Sequence, residues 1–228
     1  MAERFVFGFV ASSNALPDLV GSRLDAGELL AGVSAEFVEM FDDEFRGRLS
    51  LTDCAAEVLA GDLNEEHAYP YARLVEPLLT VVAEPLGMIH MALTYYLPND
   101  SFGRWNPVLS AVGLSRLASL WGTANVAFPW PGGRTPHWPC VTRLSPTSLA
   151  EVTAELAGDW RARLNLVPDS LLSEGADPGL AAETRAELTG GLAVLAEWVE
   201  RAAAPWTSQR RGVSPVDNSL ILVMDGSQ

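Results

Sequence analysis

Phe5-Val6-Phe7-Gly8-Phe9-Val10 near the start of the chain and Leu220-Ile221-Leu222-Val223-Met224 near its end decide the fold. Each run is apolar on both alternate faces, the pattern of a strand buried between two layers; a half-exposed strand alternates apolar with polar residues. If both are interior strands of one sheet, the chain is tied at its two ends and a division into two domains is hard to draw. The expectation is an α/β (α+β) fold in which residues 1–228 form a single globular domain. A small mixed sheet that includes the N- and C-terminal strands is packed with several helices.

Between these runs the periodicity is helical. Phe37, Phe41 and Phe45 recur at i, i+4 and i+8 behind Ser34 as N-cap, with Glu36, Glu39 and Asp43 on the other side. Ser50-Leu51-Thr52-Asp53 reads as a capping box opening a short helix from Cys54 to Leu59. Pro70 starts a third helix that Pro77 should kink or split, because a proline removes the bond to the carbonyl four residues back. Met88 to Leu97 reads as a strand, although a short apolar run also suits a helix. Pro98 to Trp105 reads as a loop, and Asn106-Pro107 opens one or two helices ending near Trp121. Ser145-Pro146 caps a helix with Leu149, Val152, Leu156 and Trp160 inward, and Asp177-Pro178 starts a stripe from Leu180 to Val199. Gly190-Gly191 sits inside that stripe, where it weakens the helix or admits a close neighbour. Residues 165–176 and 204–217 read as loops.

Composition excludes several function classes. A formal charge of −14 argues against nucleic acid and anionic membrane, which demand clustered cations, and favours a partner with a basic surface. All 15 cationic residues are arginine, so a phosphate-binding Walker loop, a pyridoxal Schiff base and other lysine chemistry are ruled out. No secretory leader or long apolar run is evident, which places the chain in the cytoplasm, where Cys54 and Cys140 are expected to stay free thiols.

Phe128 to Cys140 (Phe-Pro-Trp-Pro-Gly-Gly-Arg-Thr-Pro-His-Trp-Pro-Cys) is a stiff connector, either a flap over the core or a pocket wall. Trp105, Trp130 and Trp138, on or beside loops, are the candidates for a recognition surface, with Arg134 beside them in the connector; Trp160 and Trp198 on helices suit the core. His137 and Cys140 can be read as a nucleophile pair, or as a surface histidine and a packed thiol. His67, between Glu65-Glu66 and Tyr69/Tyr71, is a candidate acid catalyst or an ordinary surface group. His90 reads as a hydrogen-bonded core residue on its strand. The spacings that mark a metal site are missing, and no cofactor motif is present, so neither a metal nor a cofactor is expected.

Three segments carry a family resemblance. They are Gly61-Asp62-Leu63 leading to His67-Ala-Tyr-Pro-Tyr71 and Glu84-Pro85-Leu86; Phe128-Pro129 through Arg143-Leu144-Ser145-Pro146; and Leu195-Ala-Glu-Trp-Val-Glu200 before Leu220 to Met224. Together they resemble the YfbM-like group of bacterial domains of unknown function, in its actinobacterial branch. The resemblance implies an α/β fold with helices on a small sheet and brings no catalytic residues. Residues 88–104 and 204–217 depart from the group's pattern.

Two functions follow as expectations. The first is a cytosolic accessory or immunity-type protein that binds a basic partner through acidic helix faces and the tryptophan connector. The alternative is an enzyme or small-molecule binder with its pocket under residues 128–140, tested at His67, His137 and Cys140.

Overall fold

In a computed structural model of the protein, the described residues are 4–45, 48–90, 101–121, 140–173, 176–206, 210, 212–213 and 217–226. Four strands form one sheet: β1 (Arg4–Ser12), β2 (Glu84–His90), β3 (Cys140–Leu144) and β4 (Asn218–Gly226), in the order β2-β1-β4-β3. The two strands read from the ends of the chain are therefore the two central ones. Their register runs from Arg4↔Gly226 to Ser12↔Asn218. All three pairings are antiparallel, so the sheet expected to be mixed contains no parallel pair among the described residues.

Eleven helices are seen among the described residues: α1 (Ala26–Leu30), α2 (Ala35–Glu44), α3 (Leu51–Ala60), α4 (Ala68–Arg73), α5 (Val75–Val82), α6 (Ser101–Ala111), α7 (Ser115–Leu120), α8 (Pro146–Leu156), α9 (Trp160–Leu164), α10 (Asp169–Leu172) and α11 (Pro178–Ala203). Side-chain parity divides them between the sheet's two faces. Phe9, Ala11, Val141, Ile221 and Val223 share a core with α1–α5, whereas Val6, Val10, Leu144, Leu220, Leu222 and Met224 share one with α6–α11. Coverage of both faces is why β1 and β4 show no polar alternation.

Gly8 lies on the α11 face of β1 and pairs with Gly87 across a bulged β1–β2 register. The Trp198 ring rests against it so closely that a Cβ there would stand 2.5 Å from the ring. This vacancy in the sheet lets α11 dock through its largest side chain. Gly191 serves α11 in a milder way, facing the side chains of Ile89 and Trp105, and the helix continues unbroken through Gly190-Gly191.

The expected caps form where they were read. Ser34, Ser50, Ser145 and Asp177 each accept a backbone N–H of the helix that follows. The expected split before Pro77 falls at Leu74, between α4 and α5, and α4 itself begins at Ala68, two residues ahead of Pro70. α7 has no side-chain cap of its own. Glu155 of α8 supplies one, its carboxylate accepting from the N–H groups of Arg116 (2.7 Å) and Leu117 (3.1 Å). Glu155→Ala is expected to lower stability by about 1 kcal/mol, the usual cost of a lost cap, as a shift of the urea midpoint at unchanged slope.

Four readings need correction. Residues 101–105 belong to α6, not to a loop; the Trp105, Val108, Leu109 and Val112 stripe is buried, and that packing outweighs Pro107 inside the helix. Residues 169–172 form α10 within the segment read as a loop, where Arg185 of α11 donates to the carbonyls of Leu164 and Val167 and to Asp169. β2 starts at Glu84 rather than Met88, and residues 91–97 of the expected strand lie outside the described residues. His90 is exposed at the sheet's edge and stacks on Phe5 opposite it, with ring centroids 5.2 Å apart, so it is not a core residue.

Candidate functional site

The polar side chains with the most connected geometry lie where α3 ends. Gly61, at φ +80, closes α3 with its N–H on the Val58 carbonyl and reverses the chain. Residues 64–71 then return past the last turn of α3 through a 3-10 turn, Glu65–His67, into α4. This return brings two side chains onto one carboxylate oxygen, Glu57 Oε2: His67 Nδ1 at 2.7 Å and the Tyr71 hydroxyl at 2.5 Å. The Tyr71 oxygen accepts in turn from the Asn64 N–H at 2.8 Å.

Tyr71 is fully buried, and burial above all pushes its phenol up to about 12; the Asn64 N–H opposes this, and the Glu57 carboxylate it donates to adds to it. It is a fixed neutral donor at ordinary pH. Glu57 orients the imidazole through Nδ1, and Nε2 has no hydrogen-bond partner among the described residues. A carboxylate-oriented ring with a free second nitrogen is the arrangement general acid–base catalysis uses.

Cys54, one turn before Glu57, is buried without exposure, and burial together with Glu57 and Asp53 drives its thiol well above the usual range. It is an inert core thiol. In a Cys140→Ser background, Cys54 is expected to stay unmodified by a thiol-reactive chromophore in the folded protein and to react once urea unfolds it. Modification of the native protein at the rate of free cysteine would refute this.

A second set of side chains lies outward from the same layer. On α2, Glu36, Glu39, Met40, Asp43 and Glu44 are exposed, while Phe41 is buried and Phe37 and Phe45 are half-buried. Tyr69 packs edge-on against Phe45, and its hydroxyl donates to Glu44. Met40 is 48% exposed and Tyr69 40%, so two large apolar side chains stand open among four carboxylates.

His67 thus stands in a polar cluster, but its partner is Glu57, not the adjacent Glu65 and Glu66, which are exposed. Tyr69 and Tyr71, read together with it, part company: one faces Glu44 outward and the other Glu57 inward. Trp105, read as a loop residue for recognition, is only 5% exposed and stacks on Trp121 at 5.2 Å, so it is a core residue. Trp130, Arg134, His137 and Trp138 lie outside the described residues, and of Cys140 only the strand backbone is described. Among the described residues no three His, Cys, Asp or Glu side chains are grouped to hold a metal ion, and no helix is long and apolar enough to cross a membrane. Comparison with protein-family models, curated proteins and solved structures finds no match to the chain.

Proposed function

We propose that this is an accessory or immunity-type interaction protein of the cytoplasm that binds a partner of basic surface through its α1–α5 layer. The segregation of charge carries the reading. Residues 17–82, which hold that layer, contain 14 of the 29 acidic side chains and four of the 15 arginines, a net −10 within a total of −14. Met40 and Tyr69 supply the apolar anchors that interface hot spots use, and the carboxylates around them supply a polar rim that steers a cationic partner. No residue role is taken from the YfbM-like resemblance.

The test is capture of the tagged protein's partner from a lysate at low and high salt, repeated with two double variants. Glu39→Lys with Asp43→Lys is expected to lose the partner, whereas Glu183→Lys with Glu197→Lys, the same charge change on α11, is expected to retain it. High salt should release it from both retaining forms. Equal loss in the two variants would show that total charge alone matters, and the proposal would fall.

A second reading rests on the Glu57-oriented His67, whose free Nε2 suits proton transfer on a small molecule. His67→Ala abolishing turnover of a screened substrate, with the fold intact, is the result that would favour it.

A further inference from the structure

Between α1 and α3 runs an open groove of about 600 Å³ whose floor is made by Thr52, Ala56 and Ala60. These three stand at i, i+4 and i+8 on the exposed side of α3, opposite the buried Leu51, Cys54, Ala55, Val58 and Leu59. The floor therefore follows the α3 axis for two turns, a length of about 12 Å. Its side chains are small enough for another helix to approach at the short end of the usual ~8–10 Å interaxial range.

The walls carry Arg23, Asp25 and Asp62. Asp25 has one oxygen on the N–H of Glu28, as the cap of α1. Arg23 and Asp62 flank the end of the groove where α3 finishes: the Arg23 N–H donates to the Leu59 carbonyl and the Asp62 N–H to that of Glu57. Neither side chain has an ion-pair or hydrogen-bond partner among the described residues, although both line one groove. The Arg23 backbone sits at φ +57, a left-handed conformation in which its N–H reaches the Leu59 carbonyl at the end of α3 and so places the residue at this end of the groove. One end of the groove thus offers an exposed carboxylate and an exposed guanidinium, free to pair with an incoming group, beside a floor of small side chains.

We infer that this groove seats a helical segment of the basic partner, laid along α3 with a lysine or arginine on Asp62. The inference rests on the proposed binding of a basic partner and gives it a location. Charge complementarity selects the occupant, since the groove lies within the layer that holds net −10. The Arg23 guanidinium suits the last carbonyls of the segment, the negative end of a helix.

The probe is a displayed library of random 16-residue segments selected on the whole protein, the enriched segments then being synthesised with a fluorescent label for anisotropy titration. Enriched segments are expected to carry net positive charge and amphipathic helical spacing. They should bind Ala56→Trp, which fills the floor, at least tenfold more weakly than the wild type. Asp62→Asn should weaken them severalfold, and Ala56→Gln, a smaller change at the same exposed site, should weaken them less than Ala56→Trp does. Unchanged thermal unfolding of each variant separates these losses from misfolding. Cationic segments that bind Ala56→Trp normally but lose affinity for Glu39→Lys with Asp43→Lys would overturn the groove while leaving the acidic layer as the binding face. Segments without excess positive charge, or no enrichment, would overturn both.

Discussion

Replacing Trp198 by alanine is expected to lower the free energy of unfolding by about 3–5 kcal/mol, the range for deleting a buried tryptophan or phenylalanine. Trp198 is 2% exposed and meets the sheet at Gly8, where the strand has no side chain, so removal leaves a void that the β1 backbone cannot fill. The reciprocal change is informative. Gly8→Ala places a methyl 2.5 Å from the ring, well inside contact distance, and should cost about 1–3 kcal/mol by overpacking. In Gly8→Ala with Trp198→Leu most of the methyl's cost should vanish, since the shorter side chain leaves it room. A double-mutant cycle followed by urea unfolding should therefore show a coupling of about 1 kcal/mol or more. Strictly additive costs would show that α11 does not dock through this contact.

Tyr71→Phe is expected to cost about 1–3 kcal/mol at neutral pH, because it deprives the Asn64 N–H of its acceptor and Glu57 of a donor in a buried site. The same variant should change the alkaline limb of stability. A tyrosine ionises near 10.0 in the unfolded chain, whereas burial and the neighbouring Glu57 carboxylate hold Tyr71 neutral up to about 12 in the fold. Between these values the unfolded chain has released a proton that the folded protein retains, so stability falls as pH rises. The contribution is fully present below pH 10.0 and is lost toward about 12. The wild type's advantage over Tyr71→Phe should therefore shrink through that window, as read from urea midpoints at a series of pH values. A constant difference up to pH 12 would contradict the assigned burial of the phenol.

The central strands were legible because burial on both faces erases polar alternation, and both terminal runs show that erasure without a competing signal. The caps at Ser34, Ser50, Ser145 and Asp177 were legible because each is settled within four residues of sequence. The start of β2 was not: Pro85 and Gly87 both speak against a strand, and an edge position tolerates them. Nor was the first half of α6: its polar opening read as a loop and Asn106-Pro107 as the start of the helix, until its buried stripe is set against α7, α9 and α10.

His67 was visible as a candidate, but its partner was not. Glu57 and His67 are ten positions apart in sequence and meet only because Gly61 turns the chain back beside α3. Spacing alone ties His67 to the neighbouring Glu65 and Glu66, which the fold leaves in solvent. Met40 and Tyr69 illustrate the same limit from the other side. A methionine in a helix and a tyrosine two residues from a buried one carry no local mark of exposure, and only packing separates Tyr69 from Tyr71.

The place of β4 between β1 and β3 also bears on the order in which the fold can be assembled during synthesis. Every helix described is translated before Asn218, yet the strand that joins the two layers' floors is translated after all of them. Until then β1 has only β2 beside it, β3 has no sheet to join, and α8 and α11 lack the β4 face against which they pack. Closure requires pairing residues more than 200 positions apart, as Arg4 with Gly226, which makes the last step a non-local and slow one. A ribosome paused ahead of residue 218 holds out a nascent chain with local helices formed and a strand edge open, the state on which chaperones act.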